Sequence, residues 1–390
     1  MKKPQPDKRI PLFDLKLSTE AKRRVNQVLK TGWLTTGPST AEFEREVARL
    51  LKTPHAVATS SATVGLKAVL MAMGIGSGKE VITTPFTFVA TIEAVLSVGA
   101  LPILADINPS TLNIDADEVE RKISDRTSLV MPVDIAGYPC DYRRLVPLCQ
   151  QKGLPLVSDA AHAFGATLRG RHIPEMTDGA VYSFHSTKNV TCGEGGMVVS
   201  QHEPLIEAVR TLSRHGLTSN AHMRQKSRES GYDAVAVGLK ANLSDLHAAV
   251  GLGQLQAFEA NQRRRQRLAR QYQNNLASLD SYLELPFIED GFQHAWHLFI
   301  IKLHRSRLKV DRDKFIRLMA KRGIECGVHF RPIFEFEFYR DLLGVSDRYF
   351  PNAAYAGRRV VSLPLYPHLK LAEVDRVCGC IEDICREYGR

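Results

Sequence analysis

Short apolar segments alternate with longer amphipathic segments over the first half of the chain. The apolar segments predict strands at 55–59, 80–84, 101–105, 128–133 and 155–159. The segments between them have helical spacing of apolar residues. This alternation is typical of an α/β fold in which a mostly parallel central sheet carries helices on both faces.

Two helices near the start of the chain are predicted from capping signals. Ser18 is expected to cap a helix that extends to Lys30 and has Leu29 on its apolar face. Ser39 and Glu42 have capping-box spacing and predict a second helix that follows them. Both helices precede the first predicted strand.

The predicted elements divide the chain into three parts. Residues 1–17 are expected to form an extended N-terminal arm, 18–250 a large domain and 251–390 a smaller α+β domain. A long helical pattern over 244–276 predicts one helix that links the two domains. The polar segment 217–231 predicts a mobile loop. In the smaller part, a strand and two helices are predicted, at 296–303, 310–322 and 371–387.

One lysine follows a strand predicted at 180–184. Lys188 lies among small hydroxylated residues, and Gly195 and Gly196 close the segment ahead of another strand at 197–200. Burial would disfavour the ammonium ion and lower the pKa of this lysine. The resulting amine could form a Schiff base with a carbonyl compound. A lysine in a surface hairpin is the alternative interpretation of this stretch.

A second stretch favours the reactive lysine. Asp159 ends an apolar strand, and His162 follows it after two alanines. Ligands of open α/β sheets bind at the carboxyl ends of strands, where both Asp159 and Lys188 are expected. Pyridoxal phosphate needs a lysine for its aldehyde and an acidic partner for its pyridine nitrogen. The two stretches together predict a pyridoxal phosphate enzyme.

These motifs resemble the DegT/DnrJ/EryC/StrS family of sugar aminotransferases, which have fold type I. The matching segments cover the chain from about residue 10 to 386 and are Ser60-Ser-Ala-Thr63, Asp159-Ala-Ala-His162, Ser183-Phe-His-Ser-Thr-Lys188-Asn and Gly193-Glu-Gly-Gly196. The chain is most similar to the branch that aminates C4 of a UDP-linked 4-ketosugar, as in the synthesis of UDP-4-amino-4-deoxy-arabinose. Three later segments carry that likeness: Trp296-His-Leu-Phe, His329-Phe-Arg331 and Ser362-Leu-Pro-Leu365.

The resemblance implies a set of cofactor contacts besides Lys188 and Asp159. His162 would bind the phenolic oxygen, and Phe88 would stack on the pyridine ring. Asn242 would reach the cofactor phosphate of a neighbouring subunit, which implies a homodimer with the active site at the subunit interface. The expected contacts of the phosphate within the same chain are Ala62, Thr63, the amide of Val64 and Ser183. From spacing alone, N-capping and core packing explain Thr63 and Phe88 equally well.

The family also implies a reaction and its substrates. L-glutamate would donate the amino group, and Lys188 would move the proton as general base and acid. The nucleotide sugar would serve polysaccharide, lipopolysaccharide or other glycan biosynthesis. His185, His329 and Arg331 are candidates for substrate contacts, with packing as the alternative for His185 and a salt bridge for Arg331. Many members have His where this chain has Asp134, a change expected to alter the charge near the cofactor cleft.

Three other functions are considered. Amination at C3 of a sugar or of a keto-inositol would use the same site, so these substrates stay open. Sugar 3-dehydrases of this fold have histidine in place of the lysine, whereas this chain keeps Lys188. A non-catalytic nucleic-acid-binding protein would explain the net charge of +10. However, the densest basic run, 263–270, lies in a helical pattern without interleaved aromatic residues.

Composition sets further limits on the protein. The 390 residues are 44% hydrophobic and 24% charged, as in globular proteins, and no apolar stretch is long enough to span a bilayer. The first residues contain charges and prolines without an apolar segment, so no secretory signal is expected. Seven cysteines without zinc-site spacing predict buried thiols and no metal site. We therefore expect a cytoplasmic protein that binds neither membrane nor nucleic acid.

Overall fold

A computed structural model describes residues 9–218 and 231–390. The start of the predicted arm, 1–8, and most of the predicted loop at 217–231 lie outside the described residues. The helices are α1 (Thr19–Thr31), α2 (Pro38–Leu50), α3 (Ala62–Ala72), α4 (Val89–Leu96), α5 (Ala116–Lys122), α6 (Tyr142–Lys152), α7 (Glu203–Leu212), α8 (Asp245–Leu255), α9 (Phe258–Leu276), α10 (Arg312–Lys321), α11 (Glu337–Leu343), α12 (Pro351–Gly357) and α13 (Leu371–Tyr388). The strands are β1 (His55–Thr59), β2 (Glu80–Thr83), β3 (Leu101–Leu104), β4 (Thr127–Val130), β5 (Val157–Asp159), β6 (Thr167–Leu168), β7 (Arg171–His172), β8 (Gly179–Ser183), β9 (Gly196–Ser200), β10 (Leu283–Glu284), β11 (Phe292–Gln293), β12 (Phe299–Leu303) and β13 (Val360–Leu363).

The central sheet is mostly parallel, as predicted. Strands β3-β2-β4 form one parallel section, and strands β5-β8-β9-β1 form the next. Bridges from Val130 to Leu156 and from Val133 to Asp159 join the two sections. Strand β9 runs antiparallel to both of its neighbours in this sheet. Because β5 and β8 are parallel neighbours, the residues that follow them emerge at the same edge.

The C-terminal part has its own antiparallel sheet and its own core. The sheet has the order β10-β12-β13. Helices α9 and α13 pack against each other beside it. The buried side chains of this core come from all of these elements and include Leu268, Tyr272, Phe299, Phe315, Val361 and Ile381. This architecture is the α+β arrangement expected for the smaller part; the boundary at 250/251 stays a prediction.

The prediction of one helix over 244–276 is wrong. The chain turns at 256–257 and forms two helices, α8 and α9. Helix α8 packs tightly on α1 and α2: a Cβ atom at Gly253 would lie 2.3 Å from the Cα of Ala21, and one at Gly251 would lie 2.7 Å from the Phe43 ring. Helix α9 instead packs on α13. The turn lets each helix bury its face in a different core.

Helix α1 begins as predicted, but its apolar face is narrower. The Ser18 hydroxyl accepts a hydrogen bond from the Ala21 amide at 3.0 Å, which caps the helix. Ala21 and Val28 are buried, whereas Leu29 is 54% exposed. Leu29 lies about 100° around the helix from Val28, so it turns away from the contact with α8.

The predicted capping box at Ser39 and Glu42 is wrong, because helix α2 already begins at Pro38. A buried carboxylate from α8 caps it instead. The Asp245 carboxylate accepts hydrogen bonds from the amides of Gly37, Ser39 and Thr40 at 2.8–3.0 Å, and from the Thr40 hydroxyl at 2.7 Å. This side chain ties together two helices that are about 200 residues apart in sequence.

Other expectations from composition can be compared with the same residues. No disulfide joins the cysteines in the described chain. Within 9–218 and 231–390, no group of three or more His, Cys, Asp or Glu side chains is placed to hold a metal ion. None of the described helices combines the length and the apolarity needed to cross a bilayer.

We predict that Asp245→Ala lowers the free energy of unfolding by about 2–4 kcal/mol, because several buried donors lose their charged acceptor. Asp115→Ala is the matched control. Asp115 caps α5 through one bond, to the Asp117 amide, so its removal should cost only about 1 kcal/mol. Urea denaturation of both variants measures the difference. Equal losses would show that Asp245 is an ordinary surface cap.

Candidate active site

A cavity of about 380 Å³ lies at the carboxyl edge of the central sheet. It is bounded by the start of α3, the segment before α4, the loops after β5 and β8, and residues from the C-terminal part. It brings together nine of the residues predicted for the site, namely Ala62, Thr63, Phe88, Asp159, His162, Ser183, His185, Lys188 and His329. The cavity therefore lies where the sequence predicted the ligand to bind.

Lys188 lies in the turn that follows β8. Its backbone amide donates a hydrogen bond to the carbonyl of His185 at 3.0 Å, which fixes the turn. Burial lowers the pKa of Lys188 to about 8, while the charge of Asp159 acts in the opposite direction. Most of this side chain is still an ammonium ion at pH 7, but the uncharged amine that a nucleophile requires is far more populated than in a lysine of ordinary pKa.

Asp159 ends β5 and is only 5% exposed. Its carboxylate accepts a hydrogen bond from the Thr91 hydroxyl at 2.7 Å and another from the Ala161 amide at 3.2 Å. Burial raises the pKa of Asp159, and the Thr91 hydrogen bond, the Ala161 amide and the charge of Lys188 oppose this shift. Thr91 was not among the predicted site residues, because nothing in the sequence of α4 marks it as a partner of Asp159.

The start of α3 forms an anion-binding wall of the cavity. The first intrahelical bond runs from the Gly65 amide to the Ser61 carbonyl, so the amides of Ala62 and Thr63 precede the bonded turns. The Val64 amide donates to the Ser61 hydroxyl at 3.2 Å, and Val64 does not line the cavity. The predicted phosphate contact of Val64 is therefore not seen in this arrangement.

A glycine lets the start of α3 approach the segment that carries Lys188. A Cβ atom at Gly196 would lie 2.5 Å from the Ser61 carbonyl carbon and 2.6 Å from the Ala62 nitrogen, closer than real Cβ atoms come. Ser183, which also lines the cavity, is paired with Gly196 across β8 and β9. The glycine thus places the helix terminus and Ser183 at the same wall.

Phe88 and His162 form the aromatic part of the cavity. Phe88 immediately precedes α4 and is 59% exposed, so its ring has room for a stacked partner. The His162 ring stacks on Phe330 at 5.6 Å with an interplanar angle of 18°. Burial lowers the pKa of His162 well below its usual range, and the charges of Lys188 and His329 add to this. Its Nδ1 is buried and has no hydrogen-bond partner in the described chain.

His297 is a cavity residue that the sequence analysis missed. It is 3% exposed, and its ring centroid lies 4.5 Å from that of His162. Burial lowers the pKa of His297, and the charges of His162 and Lys188 add to the effect. Its Nδ1 is also buried without a hydrogen-bond partner in 9–218 or 231–390. The segment Trp296-His-Leu-Phe contained the signal, because its likeness to one branch of sugar aminotransferases singled it out.

Two of the three substrate candidates line the cavity. His185 is close to the Thr187 hydroxyl, at 3.1 Å from its Nδ1. His329 pairs through Nδ1 with the Ser362 hydroxyl at 2.8 Å, and burial lowers its pKa to about 4. Arg331 does not line the cavity. It forms an ion pair with Glu335 at 3.4 Å, which is the alternative that the sequence left open.

Asn242 and Asp134 both lie outside the cavity lining. The Asn242 amide donates to the Thr36 hydroxyl at 2.6 Å, so its predicted contact with a neighbouring subunit stays a prediction. The expected effect of Asp134 on the charge of the cleft is wrong. Its carboxylate points into the core, where it accepts hydrogen bonds from the Tyr142 hydroxyl and the Cys140 amide, and burial raises its pKa to about 6.

The cavity fits pyridoxal phosphate on its own chemistry. It offers a lysine amine of lowered pKa for an aldehyde, a buried carboxylate for a pyridinium, a helix N-terminus for a phosphate and an exposed ring for stacking. The orphaned Nδ1 of His162 adds a polar atom that lacks a partner in the protein.

The comparison with known families decides between the remaining interpretations. Residues 16–382 match the model of the DegT/DnrJ/EryC1/StrS aminotransferase family. The chain belongs to this family. It is a pyridoxal phosphate-dependent aminotransferase of fold type I, as the sequence predicted. These comparisons give no support to the alternative of a non-catalytic nucleic-acid-binding protein.

Individual relatives agree with this assignment over the full length of the chain. The spore coat polysaccharide biosynthesis protein SpsC of Bacillus subtilis is 38% identical over 372 residues, which are 95% of each chain. The sugar aminotransferase Spr1654 of Streptococcus pneumoniae in its PMP form has a TM-score of 0.91 and 30% identity, covering 97% of this chain and 99% of that one. The structure of DesI with its TDP-sugar product has a TM-score of 0.87 and 30% identity, covering 97% and 93%.

We predict that the amine of Lys188 in the cofactor-free protein reacts with trinitrobenzenesulfonate with a pH midpoint near 8. In Asp159→Asn the midpoint should move to lower pH, because the carboxylate charge favours the ammonium form. Mass spectrometry of the labelled peptide measures the rate, with the exposed Lys22 as the reference for the reagent. A midpoint near 10.5, the ordinary value for lysine, would show that the side chain is solvated.

Proposed function

We propose that the enzyme transfers the amino group of L-glutamate to C4 of a nucleotide-linked 4-ketosugar, with UDP as the nucleotide. The observation that carries the proposal is the pairing of a Lys188 amine of depressed pKa with the buried Asp159 carboxylate in one cavity. This pair can serve amino transfer to many ketones. The ketosugar is inferred from the family, and UDP is inferred from the likeness of three sequence segments to the branch that uses UDP-linked 4-ketosugars.

Three residues of the cavity have separate roles in the proposed amino transfer. When bound, pyridoxal phosphate supplies the electron sink that makes the proton on the amine-bearing carbon acidic. Lys188 would hold the aldehyde group and, once freed by the amino donor, would carry the proton between the two reacting carbons. Asp159 would accept the N–H of the ring nitrogen and keep that nitrogen protonated. Thr91 fixes the orientation of the carboxylate.

The remaining contacts position the cofactor. The amides of Ala62 and Thr63, together with the Ser183 hydroxyl, would bind the phosphate at the N-terminus of α3. Phe88 would stack on the ring, and His162 would bind the phenolic oxygen. The depressed pKa of His162 keeps its imidazole neutral, so that it can offer either a donor or an acceptor. Asn242 would complete the phosphate site of the second subunit in a homodimer.

Two relatives support a nucleotide sugar as the substrate and a role of the enzyme in biosynthesis. The name of SpsC refers to spore coat polysaccharide biosynthesis, and DesI was crystallised with a TDP-sugar product. An excess of positive charge, +10, also suits a nucleotide diphosphate. We infer a cytoplasmic role in making an amino sugar for a polysaccharide or a related glycan. Amination at C3, or of a keto-inositol, is the alternative, because the cavity core would be shared.

The absorption spectrum of the cofactor-loaded protein tests the proposal. Addition of L-glutamate should replace the visible band of the lysine-bound cofactor by the band of its aminated form. A panel of UDP- and TDP-linked 3- and 4-ketosugars should then restore the original band with the true acceptor. If only a 3-ketosugar restored the original band, the enzyme would aminate C3 and not C4. If only TDP-linked sugars restored it, the nucleotide of the substrate would be TDP and not UDP.

We predict that Lys188→Ala lowers turnover by about 10²-fold or more, because the proton carrier is lost. Lys188→Arg should be as inactive, since a guanidinium neither forms the bond to the aldehyde nor gives up its proton. Lys22→Ala, at an exposed lysine of α1 outside the cavity lining, is the matched control and should keep its activity. Single-turnover amino transfer from L-glutamate measures all three. Turnover by Lys188→Ala at the rate of the unchanged enzyme would refute the role of this lysine.

A further inference from the structure

A second cavity, of about 390 Å³, lies on the other side of Lys188. Its lining shares Phe13, Thr187 and Lys188 with the first cavity. The other walls come from the N-terminal arm, from α8 and α9, and from residues 366–368. Lys188 thus borders both cavities, whereas the cofactor contacts proposed above lie in the first of them.

A buried arginine lines this second cavity. Arg265 is on α9 and is 4% exposed. Its Nη1 donates hydrogen bonds to the carbonyls of Trp296 at 3.1 Å and Leu365 at 3.0 Å. Burial lowers the pKa of Arg265 to about 10, so the guanidinium is still charged at neutral pH. Burial alone shifts the pKa of Arg265, with no contribution from a carboxylate of the described chain, and its Nε has no hydrogen-bond partner there.

Among the described residues that line this cavity, the one acidic side chain, Asp14, is already paired. Asp14, on the arm, lies 2.5 Å from His368, and this hydrogen bond lowers the pKa of Asp14. Its carboxylate therefore does not neutralise Arg265. A buried cation without a counter-ion is costly, and the cost is recovered when an anionic ligand binds. Lys188 lines the same cavity, so an anion bound to Arg265 would lie in the space that borders that lysine.

We propose that the second cavity binds the amino-acid donor and that Arg265 binds one of its carboxylates. A planar guanidinium and a carboxylate form a bidentate, charge-assisted pair. One buried positive charge matches a carboxylate better than a nucleotide diphosphate, which carries more charge and a large nucleoside. This inference rests on the proposed function, because it assigns a place to the donor of the same reaction. It makes Arg265 a residue for donor recognition, distinct from the sugar contacts.

The test uses glutarate, which has the two carboxylates of glutamate but no amine and so cannot react. Calorimetry on the cofactor-loaded enzyme gives its affinity for glutarate and, separately, for UDP. Arg265→Gln should weaken glutarate binding by about tenfold or more and leave UDP binding unchanged. Arg265→Lys keeps the charge and should have an intermediate affinity.

Arg264→Gln is the matched control. Arg264 is the neighbouring residue on α9 and also donates to backbone carbonyls, those of Pro367 and Leu369, at 3.3 and 2.8 Å. It does not line the cavity, so its replacement should leave glutarate binding unchanged. If Arg265→Gln does not fold, Arg265→Lys decides: it should raise the L-glutamate concentration that half-converts the cofactor band.

The outcomes separate this inference from the proposed function. Unchanged glutarate binding in Arg265→Gln, or no binding by the unchanged enzyme, would refute the role of Arg265. Loss of UDP binding with glutarate binding retained would also refute it and would assign the site to the diphosphate. If no amino acid changes the cofactor band of the unchanged enzyme, the proposed function itself fails. If L-glutamate does change it, at the same concentration in every Arg265 variant, only the present inference fails.

Discussion

The amine of Lys188 and the carboxylate of Asp159 are both removed from water in the same cavity, and the rest of the site depends on this arrangement. Burial shifts the two pKa values toward each other, down for the lysine and up for the aspartate. Their mutual attraction and the Thr91 hydroxyl offset part of the cost. The protein keeps two groups in this costly state because their chemistry needs an amine that can lose its proton and a buried carboxylate that can pair with a protonated ring nitrogen.

The fold provides this arrangement through neighbouring parallel strands. Asp159 ends β5 and Lys188 follows β8, and these strands are paired. Because Gly196 on the next strand has no side chain, the start of α3 can pack closely against the same edge of the sheet. His297, His329 and Phe330 of the C-terminal part line the same cavity. Both cavities that Lys188 borders are lined by residues from the large and the small part of the chain.

The sequence was sufficient for the features that depend on local patterns. Strand β1 was predicted at 55–59 and the cap of α1 at Ser18, because the apolar run and the capping serine are local signals. The Lys188 and Asp159 pair followed from motif and strand position. The cap of α2 could not be predicted, since Asp245 lies about 200 residues away. The break between α8 and α9 could not be predicted either, because the helical spacing of apolar residues continues through 256–257. Only the packing of the two helices on different cores requires a turn there.

Side-chain direction was the other limit on prediction. Asp134 follows a strand at the expected edge, yet its carboxylate turns into the core to meet Tyr142 and Cys140. Arg265 lies in the basic run 263–270, where nothing local distinguishes it from a surface arginine, and only the tertiary structure buries it in a cavity wall. His297 was marked only by the family likeness of its segment, and only the tertiary structure places it in the cavity. Two-residue strands such as β6, β7 and β11 were missed because their pairing, not their composition, defines them.

Reduction of the cofactor-loaded protein with borohydride, followed by peptide mapping, tests the central claim most directly. Borohydride fixes the cofactor to the amine that holds it. The account predicts a single pyridoxyl adduct, on the peptide that contains Lys188, and its loss when L-glutamate is added before the reductant. An adduct on another lysine, or an adduct on Lys188 that glutamate does not remove, would contradict the account.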